Sequence, residues 1–102
     1  MAAETLDKAA YRALARQTVE HLLGLLRAQP RTTAVDTATE LATHLGRAID
    51  AFHMEAIRFR MYTLDRLVAS GTLDVSPELR ETMTDLKHAL EAAGFQTRSI
   101  SH

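Results

Sequence analysis

The sequence predicts an all-α protein: a three-helix antiparallel arrangement with one long central helix, completed to a helical bundle by dimerisation. Apolar residues recur at three- and four-residue spacing along most of the chain, and no alternating run is long enough for a strand. The only two prolines, Pro30 and Pro77, fall where that periodicity breaks. At 102 residues the chain is short for more than one domain. Residues 1–95 are therefore assigned to a single helical domain, and 96–102 to a flexible C-terminal tail.

The first helix is expected over residues 4–28. Leu14, Ala15, Thr18, Val19, Leu22, Leu25 and Leu26 share one side of it. Pro30 ends it, because its ring cannot continue the hydrogen-bond ladder and it biases Gln29 away from helical geometry.

The second helix is expected over 34–70. Thr33-Ala-Val-Asp36 matches the capping-box pattern. Val35, Ala38, Ala42, Leu45, Ile49, Phe52, Ala56 and Phe59 then form a heptad-like seam. The alternative is a break near Gly46, which would let four shorter helices close into a monomeric bundle. Glycine costs about 1 kcal/mol relative to alanine in a helix, enough to permit a break but not to require one. Otherwise nothing stops it before Ser70-Gly71, where glycine supplies a left-handed terminal residue. A helix of that extent, about 37 residues, is roughly 55 Å long.

The third helix is expected over 77–93. Ser76-Pro77-Glu78 places a capping serine, a proline in the first turn and an acid at the positive end of the helix. Leu79, Met83, Leu86, Leu90 and Ala93 form one narrow stripe. Gly94-Phe95 suits a Schellman ending in which Phe95 folds back onto Leu90.

These lengths carry the expectation of a dimer. The outer helices would cover different halves of the central one, so a monomer would be two helices thick. Residues 52–68 of the central helix are apolar over more than half its circumference, too much for the single stripe of the third helix to cover. A second copy is the simplest cover, since two-fold dimers are the commonest oligomers.

Composition narrows the function classes. Net charge is −1, with 12 basic and 13 acidic side chains, which disfavours nucleic acid as the main partner. With no cysteine there is no disulfide, thiolate nucleophile or cysteine-bound metal. The N-terminus lacks the apolar core of a signal peptide, and no apolar run approaches a membrane span. A cytoplasmic protein is the expectation.

The oddest feature is a pair of polar residues, His53 and Arg60, seven positions apart within the apolar arc of the central helix. A charge in such a place must be paired or reach solvent. The functional reading makes them a ligand or interface site, Arg60 holding a carboxylate or phosphate and His53 assisting, with Phe52, Ile57, Phe59, Met61 and Leu64 around them. The structural reading has Arg60 paired with Glu81 or Asp85 and His53 satisfied in the core. Asp50 and His53, at i and i+3, are a weak metal pair, and Glu40 and His44 another on a polar face. Arg12 and Arg16 share a face of the first helix. Arg47 with Asp50 and Arg58 with Glu55 interleave signs in the manner of a solvated surface. No phosphate-loop, dinucleotide or nucleophile-elbow pattern occurs.

The expectation is a non-enzymatic helical protein without a cofactor. It self-associates and acts through protein–protein contacts, as an adaptor, regulatory or assembly component. The alternatives are a small-molecule or metal-binding bundle centred on His53 and Arg60, and a dimeric nucleic-acid-binding regulator.

Overall fold

Asp7 opens the first helix: its side chain accepts the Ala10 N–H at 2.8 Å, satisfying one of the backbone donors left free in a first turn. The computed structural model describes residues 7–95. The expected start at residue 4 and the tail over 96–102 lie outside them. Four helices follow one another: α1 (Lys8–Arg27), α2 (Thr33–Asp50), α3 (Met54–Ala69) and α4 (Pro77–Ala92). Among the described residues there is no strand, and no helix is long and apolar enough to cross a membrane.

The helix count is the main correction. The long central helix is two helices, α2 and α3, separated by residues 51–53. Gly46 is not where it breaks, for α2 runs through it and stops at Asp50. There the His53 N–H reaches back to the Ala48 carbonyl at 3.0 Å, and the Phe52 N–H to the Ile49 carbonyl at 3.2 Å. This is the Schellman pattern, with Phe52 in the left-handed position at φ 58°. A bulky residue there costs about 1–2 kcal/mol, which glycine would avoid. His53 then starts α3 as its N-cap, its Nδ1 accepting the Ala56 N–H at 3.2 Å.

The other helix ends follow local chemistry. Thr32 caps α2 by accepting the Val35 N–H at 3.1 Å, one residue before the expected Thr33. Asp36 accepts from Arg31 at 3.1 Å instead of completing a capping box. Gly71, at φ 85°, follows the C-terminus of α3. Ser76 caps α4 through the Leu79 N–H at 3.1 Å, with Pro77 in its first turn. Gly94 takes φ 97°, and the Phe95 N–H bonds to the Leu90 carbonyl at 2.9 Å, as the sequence predicts.

The helices run up, down, up and down. Close packing links α4 to α1, α1 to α2 and α2 to α3. An ion pair between Lys87 of α4 and Asp65 of α3, at 2.8 Å, ties the remaining side. At one end Phe52 lies against Phe95, with ring centroids 6.3 Å apart, and the Arg12 guanidinium sits 3.7 Å from the centre of the Phe52 ring. At the other end the Gln29 side-chain amide donates to the Asp74 carbonyl at 2.9 Å, joining the two loops there.

The core draws on every helix: Leu22 and Leu26, Leu45 and Ile49, Ile57, Met61 and Leu64, and Leu79, Leu86 and Leu90 are all fully buried. The four helices share this core within one chain, with close packing along three helix pairs and the Lys87–Asp65 ion pair between α3 and α4. The case for a dimer built on an uncoverable half-helix therefore does not hold.

One contact explains Gly46. Arg16 reaches across from α1, its Nε 3.1 Å from both Asp50 carboxylate oxygens and its Nη1 2.6 Å from Glu20. Burial by itself would lower the Arg16 pKa. Its hydrogen bonds to Asp50 and Glu20, with their charges, outweigh this and hold it above its ordinary value. The guanidinium lies directly on α2, so a Cβ at position 46 would stand 2.8 Å from Arg16 Nη1. Glycine lets the clamp close, at about 1 kcal/mol of helix propensity. A partly exposed ion pair is itself worth about 0–1 kcal/mol. Gly46→Ala should therefore be close to neutral in the wild-type chain, yet stabilise an Arg16→Ala chain by about 1 kcal/mol. Urea melts of the four chains measure this. An equal effect in both backgrounds would show that the two residues do not interact.

Candidate functional site

The break in the central helix redistributes the predicted site residues. The apolar arc assumed one helical phase from residue 34 to 70, and the turn at 51–53 resets that phase. Ile57, Met61 and Leu64 point inward and are fully buried, so they serve the core of this chain and are not available as interface residues. His53 is exposed and occupied with capping α3. Arg60 is half-buried, its guanidinium 5.4 Å from the Phe59 ring centre, and does not pair with Glu81 or Asp85. No hydrogen bond or ion pair joins His53 to Arg60 among the described residues.

The weak metal pair is dispersed too. Asp50 ends α2 and accepts from Arg16, while His53 lies beyond the turn, so the two no longer stand one helical turn apart on one face. Among the described residues no three potential ligands come together for a metal ion. Arg12 and Arg16, a basic pair in sequence, are used inside the bundle, one on Phe52 and one on Asp50 and Glu20.

What the fold leaves outside is more informative. Of five exposed large hydrophobic residues among those described, four fall between positions 52 and 62: Phe52, Met54, Phe59 and Tyr62. Phe52 has company at the bundle end, but Phe59 is 59% exposed on the outward face of α3. Tyr62 stands one turn further along, where the two side chains are neighbours. Arginines frame them: the Arg66 guanidinium lies 5.8 Å from the Tyr62 ring centre and donates to the Tyr62 hydroxyl at 3.3 Å. Glu55 completes the stripe one turn before Phe59; it is exposed and takes part in no ion pair among the described residues.

Phe59 was in the predicted set, whereas Tyr62, Arg66 and Glu55 were not. Their common face becomes visible only once Ile57, Met61 and Leu64 are known to point inward. A second surface feature is an open groove of about 350 Å³ between α1 and α4, lined by Leu14, Thr18, His21, Glu78, Glu81 and Asp85. His21 Nε2 and Glu78 lie 3.3 Å apart across it. Its walls are wide open to solvent, and the buried Thr82 on its lining already donates its hydroxyl to the Glu78 carbonyl at 2.8 Å. Among the described residues no buried polar side chain there lacks a partner.

The fold and this face define an all-α bundle with an aromatic stripe on its solvent side. Comparison with protein-family models, curated proteins and solved structures finds no match to the chain.

The cap gives a direct check on His53. His53→Asn, which keeps a side-chain acceptor at the N-cap, should leave stability within a few tenths of a kcal/mol. His53→Ala should lower it by about 1 kcal/mol in urea denaturation. Equal losses in the two variants would mean that the histidine does something other than cap the helix.

Proposed function

We propose that this protein acts through protein–protein contacts, as a non-catalytic adaptor, regulatory or assembly component, and that the outer face of α3 is its docking surface. One observation carries the reading: the large exposed hydrophobic residues are concentrated on one short segment, beside arginines, in a bundle whose own core is closed. Clustered exposed apolar side chains mark interaction sites more than scattered ones do. Aromatic residues and arginine are also the types enriched where proteins bind one another. A ligand site centred on His53 and Arg60 has less support, because each residue has a separate local role.

Two measurements test this reading. Replacing Phe59 and Tyr62 together by serine should leave thermal stability almost unchanged, within about 0.5 kcal/mol per site, as for surface positions generally. A photo-crosslinking amino acid at position 62 in cells should give discrete protein adducts that the same group at exposed position 40 does not. Adducts absent at both positions, or identical at both, would overturn the assignment of this face.

A further inference from the structure

The stripe on α3 has a property beyond its exposure. Glu55, Phe59, Tyr62 and Arg66 are spaced four, three and four residues apart, so the pattern of positions is the same from either end. At this spacing the four side chains share one helical face. The aromatic pair is central, with a carboxylate at one end and a guanidinium at the other, equally far from the midpoint. All four residues are exposed.

We propose that the occupant of this face is a second copy of the chain, docked by antiparallel pairing of α3 with α3 about a two-fold axis passing between Phe59 and Tyr62. This inference rests on the reading of the face as a protein-contact surface and names its partner. A two-fold interface must be self-complementary, with each residue meeting its counterpart twice. In this register Phe59 meets the partner's Tyr62, and Glu55 meets the partner's Arg66, each pair formed twice. Parallel pairing in register would set Glu55 against Glu55 and Arg66 against Arg66, so the charges select the antiparallel arrangement. Neither end group is held by an ion pair within its own chain among the described residues, leaving both charges available. Arg66 already lies along Tyr62, which directs its guanidinium along the stripe. The aromatic rings would meet within the ~4.5–7 Å centroid range of edge-to-face and offset pairs.

The contact is small. One helix face per copy provides less than the ~800 Å² per partner of a standard interface. The dimer is therefore weak and concentration-dependent, in exchange with a monomer whose core is already complete.

Charge reversal in the full chain tests the register. By sedimentation, the wild-type mass should rise from 11.3 kDa towards twice that value with concentration. Glu55→Arg alone and Arg66→Glu alone each set like charges against each other, and should weaken self-association at least tenfold while helix content by circular dichroism stays unchanged. Mixing the two variants makes every facing pair opposite again and should restore association. The double variant Glu55→Arg/Arg66→Glu should associate on its own. A wild-type mass constant with concentration, or a mixture no better associated than its components, would overturn the proposal. If the wild type stays monomeric while position 62 still crosslinks to a protein of another mass, only the identity of the partner falls. If position 62 gives no specific adduct, the docking face itself falls.

Discussion

Everything in this fold depends on a three-residue reversal in which a phenylalanine adopts a backbone conformation that suits glycine. Holding Phe52 at φ 58° costs about 1–2 kcal/mol, and the turn interrupts an otherwise good helical ladder. Against this stands the burial of Ile57, Met61 and Leu64, fully hidden only because α3 turns back onto α2. Burying three such side chains is worth about 5–9 kcal/mol, an upper estimate that still exceeds the cost of the turn. The backbone groups freed at the break also find partners. His53 and Phe52 N–H groups bond to Ala48 and Ile49, and the His53 ring accepts from Ala56. The reversal is thus held from both sides, with Arg12 and Phe95 packed on the Phe52 ring.

Closing the bundle inward decides what faces outward. A helix with apolar residues around most of its circumference places only one arc in the core, and the rest meets solvent. On α3 that remainder is Phe59 and Tyr62 with their arginines, and this is where the proposed contact surface lies. The same closure uses Arg16 and Gly46 as a matched pair, a long cation laid across the helix position with no side chain. A basic residue that looks available for an external ligand in the linear chain is thereby committed to Asp50 and Glu20.

The candidate site was legible in part. The apolar excess of residues 52–68 points to the segment that carries the exposed aromatics, Phe59 among them. His53 and Arg60 both belong to α3, but His53 is taken up in capping the helix and Arg60 lies against Phe59, so the two do not come together as one site. That Glu55, Tyr62 and Arg66 share a face with Phe59 at the surface is not legible in the sequence, because which face of α3 is outermost depends on the direction in which α3 leaves the turn. The salt bridge from Arg16 to Asp50 joins residues 34 positions apart, and no local pattern signals such a contact.

The sequence by itself determined the helical class and most of the helix ends. Pro30, Ser76-Pro77, Ser70-Gly71 and Gly94-Phe95 act through backbone sterics and nearby hydrogen bonds, which are properties of a few consecutive residues. Only the tertiary structure decided that the central helix is two, that the core closes within one chain, and that the aromatic stripe points to solvent. Local preference at Ala51-Phe52-His53 favours a continuing helix. It is overridden by burial free energy that exists only when α3 meets the rest of the bundle.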